Sequence, residues 1–250
     1  MTLTAGGRTE TGPRALNQDW LEWDLDLGLF VVADGMGGHN AGEVASHLAV
    51  QAIRDFVVES AAGSDLTWPF AYEPALSVDA NRLLTAVRLA NRRIHEEGTI
   101  HAALEGMGTT VVAVLASGDQ AVMLGVGDSR IYRWRGGALE QLTSDDTWLS
   151  TVMGIADDDR SGSSHPLKHV LTRVVGTRED LRPEVRQEPL LPGDRLVLCS
   201  DGVHGRLDRG AIASILAQGG PPDQLAEALV REALARRTGD NATALVVAAG

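Results

Sequence analysis

The 250-residue sequence predicts an α+β fold, and three observations carry that expectation. Two long stretches, 42–58 and 78–96, repeat apolar residues at helical spacing. From Met107 to Leu142 the period shortens into β-rich runs broken by Gly118-Asp119 and Gly136-Gly137, the mark of successive hairpins. Two apolar runs, 30–33 and 196–199, lead into Asp-Gly, the second after Ser200. An unbroken apolar run of that length suits a strand covered on both faces.

Taken in order, residues 8–19 read as a polar loop after a short strand, holding Arg14, Asn17, Gln18 and Asp19. Residues 20–23 and 29–33 pair as a hairpin through 24–28, which brings Asp19 near Asp34. Gly35, Gly37 and Gly38 then turn the chain sharply. The 42–58 helix follows, with Val44, Leu48, Ala52, Phe56 and Val57 on its apolar side. Residues 61–74 are a loop. In the 78–96 helix Leu83, Val87, Ala90 and Ile94 form the buried stripe. Arg82, Arg88, Arg92 and Arg93 make a solvated face, and Ser77 or Asp79 caps the start.

After the hairpins of 109–142, Ser144-Asp145-Asp146 is expected to cap a short helix through Met153. Asp157-Asp158-Asp159 lies in a polar loop and reads as solvated rather than as a metal site. Residues 170–175 flank a strand, 184–189 are extended, and 195–199 form a strand ending at Asp201-Gly202. Helices over 208–218 and 221–237 precede a last strand, 242–248, entered through Gly239-Asp240-Asn241. No repeat or linker divides the chain, so 1–250 is expected to be one domain.

Acidic residues outnumber basic ones 34 to 22, a formal charge of −12. That excludes general nucleic-acid binding, which needs surplus Lys and Arg. Cys199 is the single cysteine, so no internal disulfide forms. Residues 1–8 lack a signal-peptide core, and no apolar run approaches the ~20 residues of a membrane span. The expectation is a cytoplasmic protein without membrane contact.

Asp34, Asp128 and Asp201 share one local setting, a strand end beside glycine, and Asp240 stands just before a strand. A single such site is equally well read as an Asp-Gly turn. Several brought together would repel one another and raise each other's pKa, a cost that divalent cations relieve. Hard oxygen ligands of this kind suit Mg2+ or Mn2+.

The ordered set Arg14…Asn17-Gln18-Asp19, Asp34-Gly35-Met36-Gly37-Gly38-His39, Met107-Gly108-Thr109-Thr110, Gly127-Asp128-Ser129-Arg130, 171–176, Ser200-Asp201-Gly202 and Gly239-Asp240-Asn241 resembles the protein phosphatase 2C family, the metal-dependent protein phosphatases. The resemblance implies a four-layer αββα sandwich, two antiparallel β-sheets flanked by helices, with a flap-like segment over 144–168. It implies hydrolysis of phosphoserine and phosphothreonine monoesters by in-line attack of a water bridging two Mn2+ or Mg2+ ions. On that pattern Asp34 bridges both ions and the Gly35 carbonyl completes one. Asp201 and Asp240 hold the other, and Asp19 orients water in the shell of the pair. Asp128 with Asp201 supplies a weaker third site, and Arg14 holds the phosphate. The implied partners are phosphorylated proteins, with a bacterial Ser/Thr kinase and its targets; the chain is expected to be a monomer.

The sequence departs from the pattern in places. Met36 stands where some eukaryotic members have a histidine, so the leaving-group acid lies elsewhere. Gln18 replaces an acid, Asp145-Asp146 replaces Asp-His, and His39 is expected to be structural. Cys199…Arg206 is one residue too long for a cysteine-phosphatase loop, and Asp201 would oppose its thiolate. The glycines at 35–38 lack the Lys-Ser/Thr of a phosphate-binding loop. The alternative of another class is a pseudophosphatase that binds phosphoproteins without turnover.

Overall fold

A computed structural model describes residues 1–38, 41–63, 68–153 and 170–250. His39, the 157–159 acidic run and residues 154–168 of the expected flap lie outside the described residues. The chain opens with β1 (Leu3–Glu10), β2 (Asp19–Asp24) and β3 (Leu29–Met36), then α1 (Ala41–Ala61) and α2 (Val78–Ile100). The central strands are β4 (Gly108–Thr109), β5 (Val111–Ser117), β6 (Gln120–Val126), β7 (Arg130–Arg135) and β8 (Ala138–Gln141). After α3 (Trp148–Met153) come β9 (Glu184–Pro189), β10 (Arg195–Cys199), α4 (Asp201–His204), α5 (Arg209–Ala217), α6 (Pro222–Ala235) and β11 (Ala242–Ala249).

Two antiparallel sheets result, one ordered β1-β11-β10-β7-β8, the other β2-β3-β5-β6-β9 with β4 added on β3. Side chains alternate across each strand. In β3, Phe30 and Val32 point into the layer between the sheets, where they meet Ile131, Leu196, Leu198 and Leu245. Val31 and Ala33 face outward into a second layer under α1 and α2. A third layer lies between β10, β11 and the helices α5 and α6, centred on Val197, Val246, Ile212 and Leu229. The expected four-layer αββα sandwich is therefore present, and it explains why 29–33 is apolar at every position: both faces are covered.

The register collects the acids at one end of both sheets. Asp19 pairs with Asp34. Cys199 pairs with Ala244 and with Arg130. Asp201 thus lies two residues past a strand end, Asp240 two before β11 and Asp128 two before β7, all at the same edge.

Several local expectations need correction. β3 runs on past Asp34 to Met36, pairing with β4, so the turn starts later than Gly35. Gly35 is required for close approach instead: a Cβ there would sit 1.9 Å from the Gly42 carbonyl oxygen. Asp201 opens a one-turn helix rather than a glycine turn. α2 continues past the expected end at 96 to Ile100, while its start is capped as expected by Ser77, whose hydroxyl accepts from the Ala80 N–H. Its arginines are not one solvated face: Arg82 pairs with Asp79, Arg88 pairs with Glu73, and Arg92 lies over the Phe70 ring. The start of α3 is capped by the Thr147 hydroxyl, which accepts from the Ser150 N–H at 3.3 Å, and not by 144–146. In α1 the buried face is built from Ala45, Ala49, Ile53 and Phe56, with Val44 and Leu48 at its margin.

Candidate metal centre

Asp34 is fixed by its backbone. Its N–H donates to the Thr110 hydroxyl at 3.1 Å, and its carbonyl accepts from the Thr110 N–H and the Thr109 hydroxyl, both at 2.8 Å. Thr109 is itself bridged to Val175. The Thr110 hydroxyl also meets the Ser129 hydroxyl at 2.7 Å, which ties the Asp128 turn to Asp34. That turn is held further by Asp146, whose Oδ2 accepts from the Gly127 N–H at 3.1 Å.

Asp19 is buried at 3 % exposure. Its Oδ2 accepts from the Ser200 hydroxyl at 2.8 Å, and its N–H donates to Asn17 Oδ1 at 3.2 Å. Its Oδ1 is buried without a hydrogen bond, which leaves a carboxylate oxygen in need of a donor or a cation. Asp240 is placed by Asn241, whose N–H donates to Asp240 Oδ1 at 2.9 Å. The Asn241 side chain spans to the loop before β2: its Oδ1 accepts from Gln18 N, and its Nδ2 donates to the carbonyls of Thr11 and Leu16. Arg14, in that loop, donates to Asp240 Oδ2 at 2.7 Å and to the Gly239 carbonyl at 3.0 Å.

The acids share one electrostatic field. Burial, then the charges of Asp19, Asp201, Asp128 and Asp240, hold Asp34 well above the usual carboxylate range. Burial raises Asp19 to about 6, with Asp201 and Asp240 adding to it. Burial raises Asp128 to about 7, with Asp201 and Asp145 adding to it. Asp19, Asp128, Asp201 and Asp240 are thus near enough to Asp34 for their charges to act on it, and Arg14 pairs with Asp240. Among the described residues, no group of three or more His, Cys, Asp or Glu is arranged to cage an ion alone. Hard cations such as Mg2+ are commonly held by one or two carboxylates with water filling the rest, and an open acidic set with an unsatisfied oxygen on Asp19 fits that chemistry.

These directions give a stability expectation. An unfolded Asp titrates near 3.8, whereas Asp19 and Asp128 titrate near 6 and 7 in the folded chain. Between those values the folded state binds more protons, so this contribution to stability falls as pH rises from about 4 to about 7. Saturating Mn2+ should therefore raise the melting temperature more at pH 7.5 than at pH 5, read by differential scanning calorimetry. An equal gain at both pH values would contradict the electrostatic account.

Neighbouring charges are spoken for. Asp145 takes Arg130 in a buried two-point pair, at 2.9 and 2.8 Å, and Asp146 Oδ1 takes Arg173 at 2.6 and 2.8 Å. Cys199 is fully buried and its thiol is pushed up to about 12, mainly by burial, so it is no thiolate nucleophile. Sequence reasoning assigned no role to Ser200, Asn241 or His204; the adjacency of Ser200 and Asn241 to the two acids was the available signal.

Comparison with known proteins places these observations in a wider set. The family model described as Protein phosphatase 2C matches residues 7–236. The serine/threonine protein phosphatase PstP of Mycobacterium tuberculosis is 34 % identical over 208 residues, 81 % of this chain, and this chain spans only 37 % of that relative's length. The protein phosphatase PhpP of Streptococcus pneumoniae is 29 % identical over 238 residues, 94 % of this chain and 92 % of the relative. A crystal structure of the PstP catalytic domain in complex with two manganese ions superposes with a TM-score of 0.81 at 32 % identity, covering 98 % of this chain and 97 % of that one.

Proposed function

This chain belongs to the protein phosphatase 2C family, and we propose that it is a metal-dependent protein phosphatase acting on phosphoserine and phosphothreonine monoesters. The observation that carries this reading is the convergence of five acids from five separate segments into one field of mutual repulsion around Asp34, with Arg14 the cation paired to one of them, Asp240. Such a field is costly unless cations are bound, so it supports two core ions, Mn2+ or Mg2+, with a weaker third. Asp34 and the Gly35 carbonyl, with Asp201 and Asp240, would hold the core pair, while Asp128 with Asp201 would hold the third. When bound, divalent cations acidify water to give a nucleophile near neutral pH and offset the charge of the transferring phosphoryl group.

The chain's own residues would do the rest. Thr109 and Thr110 fix Asp34 through its backbone, so its carboxylate is preorganised rather than recruited. Ser200 holds Asp19 by one oxygen and leaves the other to orient water. Arg14 would exchange Asp240 for the substrate phosphate, whose oxygens a guanidinium matches two at a time. The interleaved sheet order, in which β1 pairs with β11, supports one catalytic domain over 1–250. Its substrates would be phosphorylated proteins, a Ser/Thr kinase and its targets among them, and the chain would act as a monomer in the cytoplasm. Among the described residues, no helix is long and apolar enough to cross a membrane.

The test is turnover of p-nitrophenyl phosphate and a phosphothreonine peptide with Mn2+, abolished by EDTA. Arg14→Ala should raise KM for the small ester about tenfold, near the loss of one charge-assisted pair, with a smaller change in kcat. Phosphopeptide binding without turnover would establish the pseudophosphatase instead.

A further inference from the structure

We propose that His204 is a positioning residue for Asp128 and sets how tightly the weaker third cation would be held. The inference rests on the metal-dependent reading above. Asp201 and His204 stand three residues apart on the single turn of α4, so both project from the same side of it. The His204 Nε2 lies 2.9 Å from the backbone carbonyl oxygen of Asp128. A carbonyl only accepts, so the imidazole carries a proton on Nε2 and donates.

One helical turn therefore acts on Asp128 in two opposed ways. The Asp201 carboxylate repels the Asp128 carboxylate. The His204 ring, from the same turn, tethers the backbone behind it. The other ties on this turn hold the flanking residues: Gly127 through Asp146 and Ser129 through Thr110. His204 holds Asp128 itself. Without that bond, repulsion would swing Asp128 away from Asp201, and a cation that needs both would lose one of its ligands. Asp34 and Asp240 depend on other contacts, from Thr109, Thr110 and Asn241, so the loss should be selective. Sequence reading gave no hint of the bond, because its two ends are 76 residues apart.

The experiment is calorimetric titration of the full chain with Mn2+, for wild type, His204→Ala, His204→Gln and Asp34→Asn. The expected result is that His204→Ala weakens the weakest Mn2+ event about tenfold while the tighter events move less than twofold. His204→Gln, whose amide can donate from a similar reach, should recover most of the loss. Unchanged affinities in His204→Ala would overturn the inference. Uniform weakening of every event would overturn it too, by making the role one of general structure, as would a wild-type titration with no weak event beyond the tight pair. Failure of Asp34→Asn to alter any event would instead bring down the metal-centre reading itself.

Discussion

Asp34→Asn is expected to lower Mn2+-dependent kcat by about 10³-fold, the scale of losing a central electrostatic group, while making the metal-free chain more stable at pH 7.5. The two effects have one cause. Asp34 sits where the charges of Asp19, Asp201, Asp128 and Asp240 all act on it. Turning its carboxylate into an amide removes the most crowded member of the set, and without metal the relief of that repulsion should stabilise by about 1–2 kcal/mol, the scale of an optimised charge. For a chain of this length that is a rise of about 2–8 °C in melting temperature. The backbone bonds from Thr109 and Thr110 do not involve the side chain, so the fold around residue 34 should persist. Activity and calorimetry on the same preparation read both effects. Near-wild-type turnover with Mn2+ would leave the proposed role of Asp34 without support.

The second large effect is on stability. Gly202→Ala should destabilise by about 3 kcal/mol or more, a melting drop of roughly 6–12 °C. A Cβ on Gly202 would lie 1.8 Å from the Asn241 carbonyl oxygen and 2.8 Å from its carbon, both backbone atoms that cannot swing aside. The contact joins the segments bearing Asp201 and Asp240, so the variant should also lose Mn2+ affinity. Gly239→Ala is the matched control: a Cβ there meets nothing within 4 Å, and its effect should stay within about 0.5 kcal/mol. Equal melting of the two variants would show that the close approach at Gly202 is not what holds these segments together.

What could be read from the sequence was what is local. Asp34, Asp128 and Asp201 announced themselves through glycine beside an apolar run, and the α2 stripe of Leu83, Val87, Ala90 and Ile94 is buried as its spacing predicts. What could not be read was what depends on a distant partner. The Ser200 hydroxyl bonds Asp19 across 181 residues, and Asn241 reaches Leu16 across 225. Neither polar residue differs locally from an ordinary strand-end or turn residue. Asp145 and Asp146 looked like a motif departure; folded, each neutralises an arginine, Arg130 and Arg173, that the sequence gives no reason to pair with it. Strand β1 was underestimated because Gly6-Gly7 interrupts any apolar alternation, and it is held as an edge strand by pairing with β11 along its full length. Arg14 was expected on a phosphate and is found on Asp240, a partner 226 residues away that nothing local to Arg14 announces.

The sealed setting of Cys199 has a consequence for the conditions under which such chemistry can run. Phosphatases that attack through sulfur are silenced when peroxide converts their thiolate to a sulfenic acid. Here the lone sulfhydryl lies under the sheet, protonated and out of reach of solvent, and the proposed nucleophile is water. Cysteine oxidation and thiol alkylation have no handle on this site, so dephosphorylation by this chain is expected to continue while thiol-based enzymes around it are switched off.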